Sequence, residues 1–228
     1  LGADAVDQAL GGGLPTGRLH EIEADGEGAG AAFIAAILAR LSAASGGRPV
    51  FWAPRPDAPD LYAPGLRRFG LDPARLIIAR TRTEADAAWA LEEAARCAAL
   101  AGAAAELRRL DLTAGRRLQL AAEAGGVALL VLRRAGEAAL RAPSAAITRW
   151  RVSSAPSAAM SGGLGPPRWI WRLERNRAGE TGAWELEASD DAASPHRLSV
   201  VATLRDRSRL PGTGLGNEPE RRPVGAAG

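Results

Sequence analysis

The sequence predicts one α/β domain: a mostly parallel sheet with helices on both faces, continued on one side by an antiparallel extension. Three observations carry this. Up to Arg134, five short apolar runs of strand length alternate with segments patterned as helices, and strands that alternate with helices pair in parallel. After Arg134 four strand-like runs follow one another without helices between them. Glycine and proline clusters punctuate the junctions.

Gly11-Gly12-Gly13-Leu14-Pro15-Thr16-Gly17 is a turn-rich loop leading into Arg18-Leu19-His20-Glu21-Ile22-Glu23, whose period-two alternation marks the first strand. A glycine loop follows, then a helix over about 29–44, with Phe33, Ile34, Ile37, Leu38 and Leu41 on one face and Gly46-Gly47 ending it. Residues 49–53 form the second strand, residues 61–69 a short helix closed by Gly70, and residues 75–79 the third strand. Thr83, with Asp86 three residues on, caps a long alanine-rich helix reaching about Leu100, with Trp89 and Leu91 among its buried candidates. Its neighbour Cys97, the single cysteine, excludes an internal disulfide and reads as a small apolar residue on a buried helix face. Residues 103–107 are the fourth strand. Asp111 or Thr113 caps the next helix, which Gly125-Gly126 terminates before the most apolar strand, 127–132.

The later strands are expected at 147–152, 169–175, 184–188 and 198–204, all in the antiparallel extension, with 153–167 as a Ser/Gly/Pro/Ala-rich loop. Trp169, Trp171 and Leu173 share one strand face and read as core; Ile170, Arg172 and Glu174 share the other. Residues 1–209 constitute the core domain. From 210 to 228 Gly, Pro and charge dominate, so that stretch reads as a disordered tail.

At 228 residues, with 46% hydrophobic and 24% charged residues, the chain is long enough to bury a sizeable single core. No run approaches the roughly 20 apolar residues of a membrane span, so a cytoplasmic protein is expected. All 29 basic residues are arginine, so no lysine chemistry exists in the chain. The sequence pI of about 10.2 reflects that choice more than the net charge of +3, and is weak evidence for a nucleic-acid partner.

In a parallel α/β sheet the loop after the first strand is where phosphate binds, because backbone N–H groups and a helix N-terminus converge there. Here that loop is Asp25-Gly26-Glu27-Gly28-Ala29-Gly30-Ala31. A working phosphate loop needs glycines to wrap the phosphates, a lysine to neutralise them and a hydroxyl to hold magnesium. Lysine and hydroxyl are both absent, and Asp25 and Glu27 would repel a triphosphate. His20 and His196 have no metal-ligand spacing, no GxSxG motif occurs, and the adjacent pairs Glu92-Glu93 and Asp190-Asp191 read as solvated surface.

Gly12-Gly13-Leu14-Pro15-Thr16-Gly17-Arg18, running to Glu21-Ile22, resembles the entry into the RecA fold. Asp60-Leu61-Tyr62-Ala63-Pro64-Gly65-Leu66, Leu71-Asp72-Pro73-Ala74-Arg75-Leu76-Ile77, the stretch from Leu110-Asp111-Leu112-Thr113 to Glu123, and Thr148-Arg149-Trp150-Arg151-Val152 resemble the ImuA family, RecA-like mutagenesis proteins of bacteria. The likeness covers nearly all of residues 1–206. It implies a RecA-like fold and a nucleoid-associated role in the SOS response to DNA damage. The partners it implies in translesion synthesis are RecA, ImuB and an error-prone DnaE-type polymerase.

The resemblance also assigns residues. Gly26, Gly28 and Gly30 mark a degenerate nucleotide site, with Tyr62 in the place of an adenine-stacking tyrosine and Glu106 in that of the Walker-B-type carboxylate; for both, packing is the competing reading. Arg55 stands where RecA-type proteins carry the glutamate that activates water, and Arg134 where they carry a phosphate-sensing glutamine. Arg175-Asn176-Arg177 falls on the Lys-Asn-Lys that RecA protomers extend into a neighbour's ATP site, which implies a RecA interface; a solvated hairpin end is the alternative. Arg133, Arg134, Arg141, Arg149 and Arg151 could supply weak, salt-sensitive contacts to DNA phosphates. The expected function is that of a non-catalytic adaptor without a cofactor. The competing readings are a divergent DNA-stimulated ATPase that uses arginine for the missing lysine, and an SOS inhibitor of cell division.

Overall fold

A computed structural model describes residues 1–134, 143–157, 159–160, 163–188 and 197–204. Arg141, Asp190-Asp191, His196 and the 210–228 tail lie outside the described residues.

The described residues form a nine-stranded sheet. In chain order the elements are α1 (Asp4–Ala9), β1 (Leu19–Asp25), α2 (Glu27–Ala44), β2 (Val50–Ala53), α3 (Ala63–Arg67), β3 (Leu76–Ile78), α4 (Glu84–Ala95), β4 (Gly102–Glu106), α5 (Leu112–Gly125) and β5 (Ala128–Arg134). Then come β6 (Thr148–Ala155), the two-residue strands β7 (Ala159–Met160) and β8 (Gly163–Leu164), β9 (Arg168–Asn176), β10 (Gly182–Ala188) and β11 (Leu198–Leu204). The sheet order is β11-β10-β9-β6-β1-β5-β4-β2-β3, with β7 and β8 pairing separately.

β1 is central and pairs in parallel with both β5 and β6. This corrects the expectation that every strand after Arg134 is antiparallel: Thr148 lies beside His20 and Ser153 beside Asp25, so β6 runs with β1. The extension begins only at β9, antiparallel to β6 and to β10. Nor is 153–167 simply a loop, since β6 runs on to Ala155 and β7 and β8 form a small hairpin.

Helices cover both faces. On one face α2 buries Phe33, Ile34, Ile37 and Leu38 against Ile22, Trp52 and Trp150. Trp169, Trp171 and Leu173 join this core, as the alternation of β9 predicts. The other face buries Leu91 of α4 and Leu118 of α5 against Leu19, Leu129 and Val131. Thr83 caps α4 by accepting from the Asp86 N–H, and Asp111, not Thr113, caps α5 by accepting from Ala114 N–H at 2.7 Å. Gly126 closes α5 in the left-handed conformation, φ 70°.

Four readings of the α4 region need correction. The helix stops at Ala95 rather than near Leu100. Cys97 therefore sits exposed in the following turn. Trp89 points outward and is 64% exposed, because Ala87, Leu91, Ala94 and Ala95 define the sheet-facing stripe of α4 and Trp89 lies nearly opposite them. Glu92 is not solvated surface either. It is buried and accepts hydrogen bonds from Arg96 at 2.6 Å and from Arg117 of α5 at 2.5 Å, tying the two helices together. The side-chain hydrogen bond from Arg96 is the largest influence lowering its pKa, and Arg117 adds to it.

The loop before β1 is held by His20, which is fully buried. Its Nε2 contacts the Pro15 carbonyl at 2.9 Å and its Nδ1 the Thr148 hydroxyl at 2.7 Å. A carbonyl only accepts, so Nε2 carries the proton and Nδ1 accepts from Thr148, which itself accepts from the Trp150 indole N–H at 2.9 Å. Burial lowers the His20 pKa from 6.5 to about 4. Between those values the unfolded chain binds the proton and the folded chain does not. Stability is therefore full above pH 6.5 and declines as pH falls towards 4, by about 3 kcal/mol in total. Urea unfolding across this range should show that loss, and His20→Gln should flatten it.

Candidate functional site

β1 delivers Asp25 to the edge where a RecA-like domain would hold phosphate, and the structure leaves no loop there. α2 begins at Glu27, so Gly26 alone, at φ 89° and ψ 152°, separates strand from helix. Gly28, expected before the helix, is helical, as is Gly30. Their roles differ. A Cβ on Gly28 would meet nothing within 4 Å, whereas one on Gly30 would lie 2.6 Å from Leu132 and 2.8 Å from Ala24. Gly30 is thus a packing residue that lets α2 approach β1 and β5. Gly30→Val should cost about 1–3 kcal/mol through overpacking and leave nucleotide binding where it was; thermal melts with an ATP titration check both.

Beside this junction opens a cavity of about 550 Å³. Gly26, Gly28, Tyr62 and Glu106 all line it, so four of the five residues of the expected degenerate site come together; Gly30 does not. Tyr62 is 73% exposed at the cavity mouth rather than packed into the core. Glu106, at the end of β4, accepts from the Trp52 indole N–H at 3.1 Å. Arg55 lines the cavity just beyond β2, with Nε 3.3 Å from Asp57.

The arginines expected to contact DNA are placed differently. Leu19, Glu21 and Glu23 share one face of β1, and β5 and β6 set Arg133, Arg149 and Arg151 beside them. Glu21 is 2% exposed; its Oε2 is 3.2 Å from Arg149 and 3.5 Å from Arg133, and its Oε1 accepts from the Ser144 hydroxyl at 2.5 Å. Arg133 and Arg149 are buried in that cluster and unavailable to a DNA backbone, because a buried carboxylate requires paired charge. Arg151 is half-buried between Glu174, at 3.0 Å, and Glu23, at 3.9 Å. Burial is the main influence raising the Glu23 pKa, and Arg133, Arg149 and Arg151 oppose it. Arg134 is described only as the last residue of β5. Glu21 and Ser144 were not among the residues expected at a site. The legible signal for Glu21 was a pair of carboxylates on the same face of a core strand.

Arg175-Asn176-Arg177 ends β9 and opens the β9–β10 turn. Asn176 builds the turn, donating to the carbonyls of Ala9 at 3.2 Å and Glu180 at 3.1 Å and accepting from Ala178 N–H. Arg177 is exposed and Arg175 half-buried, and both donate to the Ser144 carbonyl, Arg177 at 2.8 Å and Arg175 at 3.4 Å. Asn176 lies opposite Thr148, which lies beside His20. The turn is therefore at the other end of β1 from Gly26, six residues along the strand and about 20 Å away at roughly 3.3 Å per residue.

The order of elements and the parallel strands flanking β1 are those of a RecA-like fold. The RadB recombinase crystal structure superposes with a TM-score of 0.62 over 88% of this chain and 98% of that one, at 14% identity, a likeness of fold. No protein-family model matches the chain. Protein ImuA of Caulobacter vibrioides, in two strains, is 42% identical over 221 residues, 90% of this chain and 89% of the relative. This chain belongs to the ImuA family. The resemblance read from Asp60-Leu61-Tyr62-Ala63 and Leu110-Asp111-Leu112-Thr113 is thereby confirmed at the level of family. Among the described residues of this ImuA-family chain, no helix is long and apolar enough to cross a membrane.

Proposed function

We propose that this chain is a non-catalytic RecA-like accessory protein of SOS-induced translesion synthesis and mutagenesis, bridging RecA, ImuB and an error-prone DnaE-type polymerase. The observation that carries the non-catalytic part is the single-residue junction at Gly26. A phosphate loop wraps a triphosphate in several backbone N–H groups and sets its own lysine at the outer phosphates; a strand that passes through one glycine into a helix leaves no loop to wrap it, and the chain has no lysine.

The docking part rests on the Arg175-Asn176-Arg177 turn. At the far end of β1 from Gly26 it cannot serve this chain's own cavity, so a phosphate it meets belongs to another molecule, which in this reading is an ATP-bound RecA protomer. Arginine suits that task, since its fork of N–H donors matches phosphate oxygens. A second reading, a divergent ATPase, is favoured by the convergence of Tyr62 and Glu106 on one cavity.

Capture of RecA by the purified chain, with ATPγS, with ADP and without nucleotide, separates the two readings when paired with a titration of the isolated chain with labelled ATP. Capture only with ATPγS, lost at least tenfold in Arg175→Ala/Arg177→Ala, together with no ATP binding, is the expected result. Capture unaffected by that double variant removes the docking proposal. Tight ATP binding with turnover by the chain alone puts the ATPase first.

A further inference from the structure

Loss of the phosphate loop does not close the space beside it. The cavity at α2 has the volume of a small-molecule site and the composition of one: largely apolar walls with a few charged groups among them. Gly28, Ala31 and Ala32 form one wall, and their small side chains leave the space open. Tyr62, Phe69 and Trp169 also line the space, brought from the 60–62 loop, the turn after α3 and β9. Phe69 and Trp169 hold each other at 5.5 Å between ring centroids, so that part of the wall is preset. The charged lining residues are Arg55, Arg68, Arg108 and Arg133, with Asp60 and Glu106.

We propose that this cavity binds a largely apolar organic acid, its body against the small residues of α2 and Tyr62, Phe69 and Trp169, its single acidic group at the arginines of the lining. Two features set the limit of one acidic group. Arg108 is already engaged by Asp57 at 2.7 Å and Glu84 at 3.4 Å, and Arg55 by Asp57. Asp60 and Glu106 would repel a chain of phosphates extended along the same wall. The inference deepens the non-catalytic reading, on which it rests, by giving the vestigial cavity a ligand of its own.

The full chain is titrated with the fluorescent acid anilinonaphthalene sulfonate and with its uncharged analogue phenylnaphthylamine. Gly28→Leu puts a side chain into open cavity space while replacing a helical glycine with a better helix former, so it folds with a Tm at or above the parent's. The expected result is one saturable site whose affinity falls at least tenfold in Gly28→Leu, about tenfold in Arg55→Gln and about tenfold for the uncharged analogue. Trp89→Ala, which removes an exposed tryptophan outside the cavity, is expected to leave binding unchanged. Equal affinity in Gly28→Leu and the parent, or loss of the signal in Trp89→Ala, overturns the site. MgATP displacing the probe more tightly than AMP does overturns the limit of one acidic group. ATP hydrolysis by the probe-free chain, followed in parallel, bears on the non-catalytic reading alone.

Discussion

Replacing Glu21 by alanine should lower the unfolding free energy by about 3–5 kcal/mol, the cost of stripping a buried ion cluster of its carboxylate. Glu21 is the shared acceptor for Arg133, Arg149 and the Ser144 hydroxyl, and all four residues are buried. Without it two guanidinium groups stay in the sheet interior facing each other, and the Ser144 side chain, which also accepts from Ala146 N–H, loses its acceptor. The Arg175-Asn176-Arg177 turn should feel the change, because both arginines are held on the Ser144 carbonyl. Urea unfolding is the direct check, read as a shift of midpoint at constant slope. Changing Glu21, Arg133 and Arg149 together to apolar residues of similar size should recover much of the loss. An alanine variant within about 1 kcal/mol of the parent would mean that both arginines reach water and behave as a surface pair does.

Trp150→Ala should cost a comparable amount, about 3–5 kcal/mol, through lost packing and the cavity left behind. The Trp150 ring is fully buried, with Phe33 at 5.5 Å and Trp171 and Trp184 each at 6.4 Å between centroids. It is therefore where α2, β6, β9 and β10 meet, and its indole N–H starts the hydrogen-bonded chain through Thr148 and His20 to Pro15. The near-UV dichroism should weaken more than the far-UV signal, since the aromatic cluster loosens before the strands do. Trp150→Phe should keep roughly half of the lost stability. A small loss for the alanine variant, with an intact aromatic spectrum, would place the mechanical centre of this core elsewhere.

Much of the molecule was legible in local patterns. Short apolar runs located β2, β4 and β5, since central parallel strands are buried on both faces; alternation located β1 and β9, and helical spacing located α2. Thr83 and Asp111 announced two helix starts, since a short polar side chain before an apolar-periodic run has an N–H to cap. The absence of lysine is a property of composition alone, and the family likeness lay in contiguous motifs.

Strand partners, the length of the first loop and the fate of the charged side chains belonged to the tertiary structure. Nothing local to 147–152 says whether that strand lies parallel to β1, because direction depends on the route of the chain between β5 and β6. The glycines after Asp25 suit a loop and a close-packed helix equally well; contact of α2 with Ala24 and Leu132 chose the helix and reduced the loop to Gly26. Arg133 and Arg149 look like surface cations when read singly. Only pairing of β1 with β5 and β6 brings Glu21 against them and buries all three, since a charge leaves water when the fold sets its counter-charge beside it.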